Sequence, residues 1–199
     1  MSWWSGRLVV AFGIVAMLVG CDESPTAPEE SPVAEHTVDA RTEWAYVRLG
    51  TTPTTVTVPD PTTSSDWDLG FFITGLRLNS GLNGPGDVVG YCVCQNEGAT
   101  PQQIQAMTPQ SELADFEAVT AADIPTNASA WVGADEAEGG IFGQKSWYWY
   151  DTTEHQVWPR YDVYLIRRGT EVYKVQLIGY YGPAGEARMI TFRSAKISG

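Results

Sequence analysis

The chain has 199 residues and a formal net charge of −12, from 24 acidic and 12 basic side chains. That excess of acid argues against a nucleic-acid partner, whose phosphates require a basic surface, and against a polybasic grip on anionic lipid; it serves solubility. Beyond the first forty residues the length suits one domain, and six of the eight Trp lie there to fill a core.

The first element is a leader. Met1 to Arg7 carries one positive charge and no acid, and Leu8 to Val19 is apolar apart from small residues. The run is short for a membrane span, which needs about 20 apolar residues, and reads as a signal peptide over residues 1–20. Its end, Leu18-Val19-Gly20-Cys21, resembles the lipobox of bacterial lipoproteins, in which cleavage exposes a Cys that carries lipid. Cys21 is therefore the expected lipidation site, anchoring the protein in the cell envelope, at the outer membrane or cell surface. Residues 21–40 are rich in Pro, Glu, Ser, Thr and Ala, and read as a disordered acidic tether. Loss of the leader would remove Arg7 and no acid, making the charge more negative still.

Residues 41–199 read as a single, mainly antiparallel all-β domain with one or two short helices in its middle segment. Strands are expected over Trp44–Leu49, Thr54–Val58, Asp66–Thr74, Leu76–Asn79 and Val88–Cys94, with turns rich in Pro, Gly and Ser between them. Thr100–Met107, with Pro just inside its start, and Ser111–Ala118 read as short helices. Residues 119–145 read as irregular, with Trp131 as an anchor. Strands return at Ser146–Tyr150. A hairpin follows over Asp162–Arg167 and Glu171–Ile178, and Arg188–Phe192 closes the domain.

Few motifs carry chemistry. There is no Gly-x-Ser-x-Gly elbow, phosphate-binding Gly loop or His-Glu-x-x-His, so no enzyme is expected. Asp66 and Asp68 flank Trp67 and, on a strand, would share one face; two acids at a strand start, with Trp67 in the core, is the stronger reading. Cys92 and Cys94 would also share a strand face, near the upper limit of disulfide reach, so a bridge would need a bulge or kink. A local disulfide and two buried thiols both stand open, and a metal pair would lack further ligands. Trp147-Tyr148-Trp149-Tyr150 places its Trp and Tyr rings on opposite faces, one for the core and the other for a cleft. His155 follows in the next loop. An imidazole beside such rings suits a flat, apolar, metal-centred ligand such as heme; a core strand followed by a solvated loop is the plainer reading.

Ser65-Asp-Trp-Asp-Leu-Gly-Phe-Phe-Ile-Thr-Gly-Leu-Arg-Leu-Asn-Ser80 and the Gly-rich loop after it resemble the HmuY family of heme-binding lipoproteins. So do Val163-Tyr-Leu-Ile-Arg, Tyr173-Lys-Val-Gln-Leu, Tyr180-Tyr-Gly and Ile190-Thr-Phe. The resemblance covers about 44 to 194. It implies an all-β fold, surface attachment, and capture of heme for an outer-membrane transporter, with two His or two Met clamping the iron. This chain departs there. His36 falls in the expected tether, one family ligand position lies near Tyr150, and the middle segment offers only Met107 as a soft ligand. The candidate axial ligands are therefore His155 and Met107, or Tyr150, with Trp147, Tyr148, Trp149 and Tyr150 as the pocket wall. The alternative is a surface lipoprotein that binds a glycan, peptide or protein without heme.

Overall fold

The computed structural model describes Met1, residues 30–135 and residues 139–198. The expected signal peptide beyond Met1 and the expected lipidation site Cys21 lie outside the described residues, as does much of the expected tether. Among the described residues no helix is long and apolar enough to cross a membrane.

The fold is mainly antiparallel β-sheet with three short helices, as the all-β reading expected. The larger sheet has five strands, in the order β1 (Ala34–Asp39), β11 (Ala187–Ser198), β10 (Glu171–Tyr181), β9 (Val163–Arg168) and β6 (Val89–Cys92). The smaller sheet orders β3 (Thr54–Val56), β2 (Ala45–Arg48), β4 (Leu69–Phe72) and β5 (Gly75–Leu78). The third is a two-stranded hairpin of β7 (Tyr148–Asp151) and β8 (Gln156–Pro159). The helices are α1 (Pro101–Ala106), α2 (Leu113–Ala118) and α3 (Ile141–Gln144).

The first four residues of β9, Val163–Ile166, are unbroken apolar sequence because both faces of the larger sheet are covered there. Tyr164 and Ile166 point to the core shared with the smaller sheet, where Phe71 stacks on Phe192 with centroids 5.7 Å apart. Val163 and Leu165 point the other way, onto Phe116, Val119 and Trp131 of the middle segment. That segment is largely irregular, so its buried carbonyls need partners from elsewhere. Polar side chains of the sheet supply them: Lys174 Nζ donates to the Val119 carbonyl at 2.8 Å, Gln176 Nε2 to that of Glu112 at 3.4 Å, and Arg193 to that of Pro109, while Gln176 Nε2 also meets the Tyr161 carbonyl, just before β9, at 2.6 Å. Lys174 also pairs with Glu30 and lies 4.6 Å from the Phe116 ring centroid.

Three expectations are corrected. The tether was drawn to residue 40, but residues 34–39 form β1, in register with β11 from Ala34↔Ser194 to Asp39↔Met189. His36 is thus part of the folded domain; its Nε2 lies 3.0 Å from Thr55 Oγ1 and its ring meets Phe192 edge-on. Residues 156–159, which fall in the loop expected around His155, form β8. Asp66 and Asp68 do not share a face: Asp66 is exposed, while Asp68 is buried beside Trp67. Asp68 accepts the Leu49 N–H at 2.7 Å and pairs with Arg168 at 2.6 Å and Arg48 at 3.3 Å, tying the smaller sheet to the β9–β10 hairpin.

Glu171, at the other end of that ion-pair chain, bonds to Lys196 at 3.0 Å and to Arg168. The Lys196 bond, then the Arg168 bond, hold its carboxyl down to about 2, against an ordinary 4.5. A carboxyl depressed in the folded state stabilises it above the ordinary value, and that contribution is lost as pH falls through the folded value. Urea unfolding between about pH 4.5 and about 2 should therefore show a shallower loss of stability with acid in Glu171→Gln than in wild type. Parallel curves would exclude this role for Glu171.

Candidate functional site

The β7–β8 hairpin carries most of the candidate residues. Its register pairs Tyr148 with Pro159, Trp149 with Trp158, Tyr150 with Val157 and Asp151 with Gln156. The Arg160 N–H closes its base on the Trp147 carbonyl at 2.9 Å. Asp151 organises its turn: Oδ1 accepts the N–H groups of Thr153 at 2.8 Å and Glu154 at 3.2 Å, and Oδ2 accepts Gln105 Nε2 from α1 at 3.2 Å. The last turn residue, His155, adopts φ +54°, a left-handed conformation normally filled by Gly or Asn. There its Nδ1 lies 2.9 Å from Tyr150 Oη, across the start of the turn. Both side chains are exposed at the tip.

Helix α1 fixes the neighbouring wall. Thr100 caps it, with the Gln103 side chain returning to the Thr100 N–H at 2.8 Å, and Pro101 opens its first turn. Ile104 is buried, and Met107 ends the helix. Met107 lines a cavity of about 240 Å³ with Val157, Trp158, Tyr161, Ile178 and Tyr181. Tyr181 Oη accepts the Val157 N–H at 3.1 Å, joining the end of β10 to β8. Neither His155 nor Tyr150 lines this cavity. The structure therefore brings Tyr150 and His155 together and sets Met107 apart from them, at the end of α1 against β8.

The aromatic run is divided in the same way. Trp147 is a core residue, and its Nε1 donates to the Thr74 carbonyl at 2.9 Å. With Tyr148 it also lines a second cavity, of about 380 Å³, beside Trp44, Arg77 and Phe142. The Arg77 guanidinium lies 4.0 Å from the Trp44 ring centroid. Trp149 stands opposite Trp158 across the hairpin, and Tyr150 alone of the four reaches the tip. Sequence reasoning missed Trp158, Tyr161 and Tyr181 as cavity residues. In the structure Gln156 is exposed, Val157 buried, Trp158 partly buried and Pro159 buried, an alternation that the run Val157-Trp158-Pro159 does not display in sequence.

Cys92 and Cys94 form a disulfide, which settles the choice left open between a bridge and two thiols. The required kink is Cys94 itself, at φ +54°, just past the end of β6, and it brings the two Cα atoms to 5.0 Å.

Among the described residues no three His, Cys, Asp or Glu side chains gather to hold a bare metal ion. The tip offers instead one phenol oxygen and one imidazole, donors suited to an axial position on a metal held by its own macrocycle.

A sequence model of the HmuY protein family matches residues 40–193. No curated protein matches the sequence. Two solved structures share the fold. The apo HmuY analog TFO of Tannerella forsythia is 12% identical, with a TM-score of 0.51 over 86% of this chain and 98% of that one. Apo PinO of Porphyromonas gingivitis is 10% identical, with a TM-score of 0.50 over 85% and 97%.

Proposed function

The chain belongs to the HmuY family, and from that premise we propose that it is a lipid-anchored binding protein of the cell envelope. It captures heme, or a related flat apolar ligand, at the β7–β8 hairpin and passes it to an outer-membrane transporter. Cys21 carries the lipid, and the acidic segment after it holds the β domain away from the membrane. The observation that carries the ligand reading is the Tyr150–His155 pair, held at 2.9 Å on an exposed turn. A phenol oxygen is a known axial donor to heme iron, and an imidazole bonded to it fixes its direction. Met107, beside the same hairpin, is the soft donor on the α1 side, and the hairpin's rings supply apolar contact.

Titrating the purified protein with hemin tests this. A one-to-one rise and shift of the Soret band is expected, with affinity at least tenfold lower in Tyr150→Phe and in His155→Asn. Asn tolerates the left-handed position, so the second variant removes the imidazole and keeps the turn. Unchanged hemin spectra, or two variants that titrate like wild type, would reject the site.

The larger cavity favours a second reading, a glycan-binding surface protein, because Trp44 and Tyr148 present rings to it beside a stacked Arg77. Glycan binding abolished by Trp44→Ala, with no hemin complex, would decide for that reading.

A further inference from the structure

We propose that the Cys92–Cys94 bridge is a thiol-exchange site, at which a small hydrophilic thiol is captured as a mixed disulfide on Cys94. The bridge spans a sequence separation of 2. The stabilisation a disulfide gives by restricting the unfolded chain grows with the loop it closes, so this one contributes little in that way. One of its two residues, Cys94, stands at φ +54°, a conformation an L side chain rarely adopts.

The two sulfurs are not equivalent. Cys92 lies within β6 and is 8% exposed, packed in the main core. Cys94 lies beyond the strand end and, although it packs against the margin of the same core, is partly exposed and lines a polar cavity of about 280 Å³. Strand β6 is an edge of the larger sheet, its outer side bridged to Val132 at Gly90, and Cys94 lies past the end of that strand. The register pairs Cys92 with Tyr164 and bonds the Val93 N–H to the Val163 carbonyl at 2.9 Å, which brings Cys94 opposite Asp162. Asp162, Arg160, Lys145 and Glu97 line the same cavity. Arg160 stands 3.8 Å from Asp162, and Lys145 pairs with Glu97 at 2.5 Å. A cavity of this size, walled by paired charges, fits a small polar thiol rather than an apolar one.

The exchange balances without an outside oxidant. The entering thiol loses its proton to solvent, and its sulfur attacks Cys94 Sγ in line with the S–S bond. The new sulfur–sulfur bond forms as the Cys92–Cys94 bond breaks, and Cys92 leaves as a thiolate that takes up a proton. Attack by Cys92 on the mixed disulfide reverses the step and expels the captured thiol.

The test uses reduced glutathione on the folded, oxidised protein, followed by acid quenching and peptide mass mapping. The expected product carries glutathione on Cys94, at least tenfold over Cys92, and loses it with return of the bridge once free glutathione is removed. With oxidised glutathione, Cys92→Ser should be charged on Cys94 at least tenfold faster than Cys94→Ser is charged on Cys92. Circular dichroism of each variant shows that the exchange is measured on folded protein. A bridge that reacts only after urea unfolding, or equal adducts on both sulfurs, would overturn the proposal. Reaction with a cysteine-containing peptide and none with glutathione would overturn the assignment to small thiols.

Discussion

Replacing Asp68 with alanine should lower the unfolding free energy by about 3 to 5 kcal/mol, as removal of one partner from a buried ion pair does. Its side chain is 1% exposed, and it accepts the Leu49 N–H as well as bonds from Arg168 and Arg48. Truncation would orphan the Leu49 N–H and take from Arg168 its contact to the smaller sheet's carboxylate. Arg168 is 18% exposed and keeps Glu171, which places the cost toward the lower end of the range. Burial, the largest influence on Asp68, pushes its carboxyl above the ordinary range against the pull of the Leu49 N–H and the two arginines. Much of the attraction is thus spent on desolvation, and the carboxylate's value lies in joining the two sheets. Asp68→Asn, which keeps the shape and one acceptor, should accordingly cost less, about 1 to 3 kcal/mol. Urea unfolding of both variants checks the pair; an alanine variant within about 1 kcal/mol of wild type would show that the carboxylate does not hold the sheets together.

How far this architecture was legible depended on the strength of each local pattern. The hairpin is legible over Asp162–Arg167 and Glu171–Ile178 because β-branched and aromatic residues run up to a Gly turn, whereas the extension of β10 to Tyr181 is not. The helix at Pro101 is marked in the sequence by the proline just inside its start. Strand β1 was hidden because it is an edge strand: only Val38 of its six residues is fully buried, so its sequence is as polar as a tether. Strand β8 was hidden by the Trp158-Pro159 ending, since proline in a strand argues against one except at an edge or end. The aromatic run reads in the sequence as a candidate pocket wall, but its division between core and tip is not readable there. That division is set by the Trp147 bond to Thr74, a contact between residues 73 positions apart. The Tyr150–His155 bond was likewise out of reach, because it needs the left-handed backbone at His155 that only the folded turn reveals.

The aromatic run therefore yields the last prediction, a separation of stability from binding within four residues. Trp147→Ala should cost about 3 to 5 kcal/mol, the range for truncating a large buried aromatic. The side chain is 2% exposed, meets the rings of Tyr148 at 5.1 Å and Tyr180 at 6.4 Å, and sits at the base of the hairpin, where its carbonyl receives the Arg160 N–H. Its loss opens a cavity between the hairpin and the β4–β5 turn and removes the donor to Thr74, so β7 and β8 lose their anchor to the smaller sheet. Trp147→Phe keeps most of the volume and should cost less. Tyr150→Phe, at a residue 43% exposed, should leave stability within about 0.5 kcal/mol. Yet that variant removes the only oxygen Tyr150 can offer a metal, so hemin affinity should fall while the unfolding curve stays in place. If Trp147→Ala is tolerated and Tyr150→Phe unfolds the protein, the assignment is reversed: Trp147 would be the wall and Tyr150 the anchor. Measured together, unfolding and hemin binding in these two variants distinguish a core strand that happens to be aromatic from a hairpin built to present a ligand at its tip.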